Sequence, residues 1–404
     1  MKVLLRNPDR TEDVAGPARV GDVLDRLAVN PETVLVIYGG TLITKDVVVP
    51  DDGEIEVRPV ISGGAGPASC HACGATAVME VKRHHAAYCA DHFVDHVRSQ
   101  VREAIDRHGM ISYHDRILVA VSGGKDSLAL WDVLLDMGYR ADGLYLGLGI
   151  GSYSDRSGQV VAGFAAARGV TLRTVDLVDE YGYDIPAVTG LRNRSSCGVC
   201  GLSKRYVFNR VAKEHGYDVM ATGHNLDDEA AQLLGNVLRW QTPFMARQSP
   251  VLPATEAPGE GDSGPRGAGI EGIGMARKVK PLYRLGEREM AAYCVIKGLD
   301  YIVEECPMVG GNTVLRYKDA LNELERHSPG TKAQFLFGFL DRVQSAHFAS
   351  ADPAGEELVA CSGCGLPTTR PRRAGVDPVC AFCRTRERVV QSVARRTSAV
   401  AGRT

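Results

Sequence analysis

The sequence predicts an α/β protein whose main domain is a doubly wound parallel sheet, with a small α/β module before it and a metal-binding motif on each side. Three observations lead to this fold class. Short β-branched runs alternate with helical patterns through the middle of the chain. A separate pattern of strand, helix and strands fills residues 1–64. Close pairs of cysteines lie on either side of the central region.

Composition limits the class of protein. A chain of 404 residues with 44% hydrophobic and 24% charged residues has room for several globular domains. No apolar run reaches the roughly eighteen residues that span a membrane, and the first residues do not form a signal peptide. We therefore expect a cytoplasmic protein with no membrane partner. Residues 361–404 carry nine arginines against two acids, which suits either an RNA backbone or a solvated basic helix.

The N-terminal module is predicted to contain one helix and several strands, at residues 2–6, 19–29 (the helix), 33–39, 41–49 and 54–61. This order, which ends in Gly63-Gly64, resembles the ubiquitin-like (β-grasp) sulfur carriers of the ThiS and MoaD type. Those carriers convert a C-terminal Gly-Gly carboxylate into a thiocarboxylate. Because Gly64 continues into Ala65 here, a free carboxylate requires cleavage. A fused docking module, a releasable carrier and a generic appendage all remain open.

Two four-ligand motifs predict zinc. Each contains two close pairs of soft ligands, which suits tetrahedral zinc because each pair supplies two corners. The first motif lies in residues 68–96 and the second in the basic C-terminal region, residues 356–404. We expect one structural zinc ion on Cys70, Cys73, Cys89 and His92, and another on Cys361, Cys364, Cys380 and Cys383.

The central domain, residues 97–345 with a flexible insertion at 253–274, contains a glycine-rich turn. A strand over 116–121 leads into "SGGKDS" and then into a helix over 127–138. Such a turn presents backbone N–H groups and the positive end of a helix to an anion. Glycine permits close approach because it has no Cβ. A tight turn that binds nothing is the alternative.

The stretch "SGGKDS" resembles the pyrophosphate loop of the PP-loop ATPases, the adenine-nucleotide α-hydrolase-like group. The resemblance implies that ATP, with Mg, is cut between its α and β phosphorus atoms and that AMP is left on an acceptor oxygen. The ATP-binding residues that it implies are Ser122, Gly123, Gly124, Lys125, Asp126, Ser127 and, in "ATGHN", Gly223. We expect His224 to lie beside the nucleotide or to be structural.

Three further cysteines belong to the central domain. Cys197 and Cys200 form a Cys-x2-Cys pair, and Cys306 follows far along the chain. The pair alone is compatible with half a zinc site, a redox disulfide or iron–sulfur ligands. Cys294 lies in an apolar helical pattern and is expected to be a buried structural thiol.

Several motifs occur in a defined order between the zinc motifs: "SGGKDS", "LGLGIGSYS", "CGVCGLSKR", "ATGHNLDDEA", "KPLYRLGEREMAAYC", "EECP" and "SPGTK". Together they resemble the PP-loop tRNA 2-thiolation enzymes of the TtuA type. The resemblance implies that Cys197, Cys200 and Cys306 hold a 4Fe–4S cluster with one open iron. It also implies catalytic roles for Lys204 and Asp228, for which an exposed helix lysine and a helix cap are the structural alternatives.

The function that this resemblance implies is ATP-dependent synthesis of 2-thiouridine in tRNA. The uridine C2 oxygen is adenylated and sulfur is then transferred from the cluster, with a T-loop uridine favoured. A sulfur-carrier protein or the fused module donates the sulfur, and a homodimer is expected. The alternatives are thiolation of a wobble uridine or a cytidine, persulfide transfer without a cluster, an amide-forming ligase, and a ubiquitin-like modifier or scaffold that is no enzyme.

Overall fold

The computed structural model of the protein describes residues 1–6, 9–29, 31, 34–59, 69–189, 195–256, 272–309, 313–348, 358–371, 373 and 375–401. The predictions for Gly63-Gly64 and for most of the insertion at 253–274 lie outside these residues. No helix in the described part of the chain combines the length and the apolar character needed to cross a membrane.

The N-terminal module is a mixed five-stranded sheet with one short helix. Its elements are β1 (Lys2–Leu5), β2 (Arg10–Asp13), β3 (Ala18–Arg19), α1 (Val20–Arg26), β4 (Val34–Tyr38), β5 (Thr41–Ile43), β6 (Val48–Val49) and β7 (Glu54–Pro59). The strand order is β2-β1-β7-β4-β5, and only β1 and β7 run parallel. The strand predicted over 41–49 is broken into β5 and β6, because a turn closes with Val47 N–H donating to Thr44 O.

The module also packs on the rest of the protein. Leu35, Ile37 and Leu42 of β4 and β5 are buried in the same apolar cluster as the side chains of the central domain. The opposite face of the sheet is covered by α1, whose Val20, Val23 and Leu24 belong to the module's own core. The module is therefore joined to the central domain by an apolar interface.

A hairpin and a long helix connect the module to the central domain. They are β8 (Met79–Val81), β9 (Ala86–Tyr88) and α2 (Ala90–His108). The domain boundary predicted between residues 96 and 97 falls inside α2. One side of α2 buries Phe93, Val97 and Val101 in the central core. Its amphipathic pattern therefore continues from the predicted metal motif (68–96) into the predicted central domain (97–345).

The central domain contains a six-stranded sheet with helices on both faces. Its elements are β10 (Ile117–Val121), α3 (Lys125–Asp136), β11 (Ala141–Gly147), α4 (Gly151–Arg168), β12 (Leu172–Asp176), α5 (Leu177–Tyr181), α6 (Ser196–Glu214), β13 (Val219–Thr222), α7 (Leu226–Leu238), α8 (Thr242–Ala246), β14 (Val251–Leu252), β15 (Arg277–Val279), α9 (Glu287–Lys297), α10 (Thr313–His327) and α11 (Thr331–Gly338), followed by a π-helical segment (Phe339–Phe348).

The strand order β12-β11-β10-β13-β15-β14 explains where a ligand can bind. The first five strands run parallel, as predicted, and only β14 at the edge is antiparallel. The chain moves outward from β10 in one direction to β11 and later returns to its other side with β13. This reversal opens a crevice at the carboxyl ends of β10 and β13, the usual ligand site of such sheets.

Apolar side chains fill both faces of this sheet. Alternate residues of β10 point to opposite sides, since Ile117 and Val119 join one buried cluster and Leu118 joins the other. The C-terminal region packs on the second face, where Phe382 stacks on Tyr206 with ring centroids 3.6 Å apart. This region consists of β16 (Leu358–Ala360), β17 (Pro367–Thr369) and α12 (Ala381–Ala401).

Candidate active site

The glycine-rich turn after β10 is closed by its own hydrogen bonds. Ser122 N–H donates to Ser127 Oγ at 3.1 Å, and Ser127 Oγ donates to Gly124 O at 2.9 Å. Gly123 has φ of +79°, and a Cβ there would lie 3.0 Å from Ser157 O of α4. Glycine is therefore required for conformation and for space. The hydroxyl of Ser127 is used within the turn, whereas Ser122 is exposed.

Lys125 begins α3 and lies among acidic side chains. Its Nζ is 2.6 Å from Glu287 Oε1 and 3.2 Å from Asp126 Oδ2. Burial opposes the charged form of Lys125, but Asp126 and Glu287 outweigh it and raise its pKa. Burial also raises the pKa of Asp126 to about 6, although Lys125 acts against it. The turn thus presents a fixed ammonium group together with backbone N–H groups, which suits phosphate.

The segment after β13 forms the other wall of the crevice. Gly223 packs against the turn, since a Cβ at that position would lie 2.9 Å from Asp126 O. Asn225 donates through Nδ2 to Asp126 Oδ1 at 3.0 Å, which ties the two walls together. His224 Nδ1 lies 2.9 Å from Thr222 Oγ1, so the imidazole is held by the end of its own strand.

Asp228 is both a helix cap and a member of this polar cluster. Its Oδ2 accepts from Asn225 N–H at 3.2 Å, while Asn225 Oδ1 accepts from Asp228 N–H at 3.1 Å, a reciprocal capping box. Its Oδ1 lies 2.6 Å from Lys318 Nζ. Burial would raise the pKa of Asp228, but Lys318 and His224 outweigh burial and lower it. The carboxylate is therefore held ionised in a fixed orientation.

The three core cysteines lie together on the second face of the sheet. Cys197 and Cys200 are in the first turn and a half of α6, and Cys200 and Cys306 pack against the same apolar cluster. Burial raises the pKa of the Cys200 thiol, an effect that Lys204 opposes and that Cys306 and Cys197 reinforce. All three thiols are partly exposed and free. Lys204 thus lies beside the cysteine group.

Helix α4 connects the cysteines to the glycine turn. Burial raises the pKa of Tyr153, and the neighbouring thiols of Cys306 and Cys200 add to this. One helical turn later, Ser157 packs on Gly123. Four residues of helix rise about 6 Å, so the cysteine group and the turn lie along one short stretch of α4.

A second connection runs through the segment that leads to Cys306. Ile302 N–H donates to Gly123 O at 2.9 Å. Cys306 is four residues further on, which is at most about 14 Å of extended chain. Two independent segments therefore bring the thiols close to the turn.

Both outer four-ligand groups are brought together in the structure. Within each group the four ligand atoms all lie within 4.8 Å of one another. Cys73 Sγ and Cys89 Sγ are 3.9 Å apart and Cys89 Sγ is 3.2 Å from His92 Nδ1, while Cys364 and Cys380 sulfurs are 3.7 Å apart. Zn–S bonds of about 2.3 Å in a tetrahedron require separations of this size, so either group can hold one metal ion.

The core cysteines are spaced differently. Among the residues that the structure describes, the sets compact enough for a single ion are the two outer groups, and Cys197, Cys200 and Cys306 do not form such a set. Thiolates that bind separate iron atoms of one cluster must lie further apart than the ligands of one ion. Their arrangement therefore differs from that of the two single-ion groups.

The sequence did not identify several residues that surround the turn. Glu287, Lys318, Tyr153 and Ser157 come from α9, α10 and α4. Only two of these residues, Glu287 in "GEREM" and Tyr153 in "GSYS", lie in stretches that were noted as motifs, and no spacing connects them to "SGGKDS". Cys294 is fully buried, as predicted, and its Sγ lies 3.4 Å from Lys125 O beneath the turn.

Comparisons with known proteins agree with this geometry. A family model described as "PP-loop domain" matches residues 94–308, and one described as "2-thiouridine synthetase TtuA, N-terminal LIM domain" matches residues 69–94. The tRNA-5-methyluridine(54) 2-sulfurtransferase of Thermus thermophilus is 45% identical over 327 residues, which cover 81% of this chain and 94% of that protein. The Pyrococcus horikoshii enzyme of the same name is 37% identical and covers 78% and 92%.

A solved structure is also similar. It is the U34-tRNA thiolase NcsA from Methanococcus maripaludis with its 4Fe-4S cluster, with a TM-score of 0.57 and 22% identity, covering 68% of this chain and 88% of that one. This likeness shows the shared fold. Because a PP-loop model matches more than half of the chain and the relatives match most of it, the chain belongs to the PP-loop tRNA 2-thiolation enzymes of the TtuA type.

Proposed function

We propose that this protein is an ATP-dependent tRNA 2-sulfurtransferase that makes 2-thiouridine in the T loop. The observation that carries the proposal is that α4 and the segment from Ile302 to Cys306 both connect the glycine-rich turn to the core cysteines. Adenylation and sulfur transfer need adjacent sites, because the activated oxygen must be displaced before water reaches it. The relatives named for uridine 54 support the T loop over the wobble position.

The turn supplies the first half of the reaction. Ser122, Gly123, Gly124, Asp126 and Ser127 form the cradle for the β and γ phosphates, with Lys125 as its cation and Gly223 as its opposite wall. The uridine C2 oxygen attacks the α phosphorus, the α–β bond breaks, and pyrophosphate leaves. Backbone N–H groups and Lys125 stabilise the negative charge that accumulates on the leaving group.

The second half takes place beside the cysteines. A 4Fe–4S cluster held by Cys197, Cys200 and Cys306 would supply the sulfur that replaces the adenylated oxygen. Lys204, on the same helix as two of these cysteines, stabilises negative charge as C2 becomes tetrahedral. Asp228 orients the base or accepts a proton, since its carboxylate is held ionised by Lys318 in the crevice beside the glycine turn. AMP then departs.

The outer groups have structural roles in this proposal. Zinc on Cys70, Cys73, Cys89 and His92 fixes the start of α2, and zinc on Cys361, Cys364, Cys380 and Cys383 fixes the start of α12. The short separations of their ligand atoms support both assignments. The arginine-rich α12 then supplies positive charge for the tRNA backbone.

We infer that residues 1–64 are a ubiquitin-like, β-grasp module fused to the enzyme. The strand order β2-β1-β7-β4-β5, with α1 on one face, supports this fold. The burial of Leu35, Ile37 and Leu42 against the central domain supports a docked module, so that a separate carrier protein delivers the sulfur. Mass spectrometry of the protein from cells tests this, because cleavage after Gly64 would make the module a releasable donor.

A homodimer in the cytoplasm completes the proposal. Leu238, Trp240 and Phe244 on α7, α8 and the turn between them are large apolar side chains that are more than half exposed, and they support a contact with a second copy. Sedimentation velocity of the wild type and of Trp240→Ser tests the contact. A monomeric wild type would rule it out.

The cofactor proposal is tested by absorption spectroscopy with iron and sulfide analysis after anaerobic purification. Broad absorption in the blue, about four irons per chain, and loss of both in Cys197→Ala are expected. The Cys294→Ala variant is the matched control, because its buried thiol faces Lys125 O and should leave the iron content unchanged. Colourless wild-type protein that still thiolates tRNA would replace the cluster with persulfide transfer.

A further inference from the structure

Two charged residues that no part of the proposed reaction uses lie directly between Lys125 and Asp228. Glu287, the first residue of α9, has Oε1 at 2.6 Å from Lys125 Nζ and Oε2 at 3.2 Å from Lys318 Nζ. Lys318 of α10 has its Nζ also at 2.6 Å from Asp228 Oδ1. One carboxylate therefore bridges two lysines, and the second lysine holds the carboxylate of the proposed catalytic aspartate.

The position of Glu287 is set by the backbone. Its N–H donates to Asp227 Oδ2 at 2.8 Å, which fixes the start of α9 against the start of α7. Its side chain and that of Lys318 are only 12% and 10% exposed. Charges this well shielded from water interact strongly, and each needs its partner. The bridge is thus a defined arrangement and not a mobile surface pair.

A nucleotide changes the balance of charge in this arrangement. The phosphates that bind the glycine turn must contact Lys125, whose nearest anion is now Glu287. A carboxylate left beside the phosphates would repel them. Glu287 has a second cation at hand, because Lys318 already contacts its other oxygen.

We propose that Glu287 and Lys318 are positioning residues for the nucleotide: Glu287 holds Lys125 in place until phosphate replaces it, and Lys318 then retains both Glu287 and Asp228. The inference rests on the proposed ATP-dependent function and deepens its nucleotide site. In this proposal the affinity for ATP depends on residues of α9 and α10 as well as on the glycine turn.

The test is isothermal titration with an ATP analogue whose α–β bridging oxygen is replaced by methylene, so that the nucleotide stays intact. Glu287→Gln removes the competing charge while keeping the shape, and its Kd should fall about fivefold to tenfold. Lys318→Met should raise the Kd about tenfold, because Glu287 is then held by Lys125 alone. Lys318→Arg should restore a Kd close to that of the wild type.

The double variant Lys318→Met with Glu287→Gln separates this role from a purely structural one. If Glu287 mediates the loss, the double variant recovers most of the affinity that Lys318→Met loses. Arg107→Met, which breaks a half-exposed ion pair with Asp341, is the matched control and should leave the Kd unchanged. If Lys318→Met does not fold, the isosteric Glu287→Gln decides alone.

Weaker or unchanged binding by Glu287→Gln would overturn the proposal, as would a double variant no better than Lys318→Met. These titrations contain no RNA. If the wild type binds the analogue and the variants show the predicted changes in Kd, but the wild type does not thiolate tRNA, the proposed function is wrong and the positioning roles stand. If the wild type thiolates tRNA but Glu287→Gln leaves the Kd of the analogue unchanged, the positioning roles are wrong and the proposed function stands.

Discussion

Replacing Lys332 with methionine should destabilise the whole central domain. Lys332 is the second residue of α11, its side chain is 3% exposed, and its Nζ lies 2.5 Å from Asp227 Oδ1. It also contacts Asn322 Oδ1 of α10. Since Asp227 caps the start of α9, this one ammonium group joins α7, α9, α10 and α11 beneath the nucleotide site.

The size of the effect follows from burial. Methionine keeps most of the apolar stem but removes the ammonium group that contacts Asp227, which is 1% exposed. Breaking a buried ion pair from one side costs about 3–5 kcal/mol of unfolding free energy. For a domain of this size each kcal/mol lowers Tm by about 2–4 °C, so the expected loss is roughly 6–20 °C.

Thermal unfolding followed by circular dichroism measures this loss. Lys213→Met is the control, because Lys213 is exposed on α6 and its replacement should change the unfolding free energy by no more than about 0.5 kcal/mol. Adding Asp227→Asn to Lys332→Met removes the buried charge that lost its contact with Lys332 and should recover part of the stability. A loss below about 1 kcal/mol in Lys332→Met would refute the reasoning.

Three other changes have defined outcomes. Gly123→Ala forces a φ of +79° on alanine and places its Cβ 3.0 Å from Ser157 O, so nucleotide affinity should fall at least tenfold in a fluorescence titration; unchanged affinity would contradict the geometry. Desolvation by neighbouring side chains, helped by Arg83, lowers the pKa of His84 to about 4, so its NMR resonances should titrate well below pH 6.5; a midpoint at 6.5 or above would disagree. Cys380→Ser should reduce bound zinc from about two ions to about one per chain by mass spectrometry of metals, and retention of both would exclude the second site.

The sequence predicted the glycine turn well because its signals are local. The strand expected over 116–121 is Ile117–Val121, and the helix expected over 127–138 is Lys125–Asp136. β-Branched residues, two glycines and an apolar helical period lie within about twenty residues, so no distant contact is needed to specify the turn. The two compact groups of cysteine and histidine ligands were predictable for the same reason.

Elements that depend on tertiary contacts were predicted less well. Strand β11 ends at Gly147 and α4 begins at Gly151, inside the motif "LGLGIGSYS", and the residues of that motif do not show where the helix starts. Glycines and serines give this start little helical preference. It is held by Tyr145 Oη donating to Ser154 O at 2.6 Å and by Ile150 N–H donating to Ser154 Oγ at 3.0 Å. Such contacts cannot be read from propensity.

The charged surroundings of Lys125 could not be predicted at all. Glu287 is 162 residues away in sequence and Lys318 lies further still. From its flanking sequence alone, each would be predicted to be a solvent-exposed residue on an amphipathic helix. The packing of α9 and α10 against α3 and α7 brings them to the nucleotide site. The sequence therefore predicts the turn but not the charged residues that contact Lys125.

Nucleoside mass spectrometry after reaction tests the central claim most directly. The protein, purified anaerobically, is incubated with ATP, a sulfide source and tRNA isolated from cells that lack 2-thiolation. The account predicts one 2-thiouridine-type nucleoside per tRNA, located in the T loop, formed only with ATP and abolished in Cys197→Ala. Thiolation that proceeds without ATP, or that survives loss of Cys197, would contradict it.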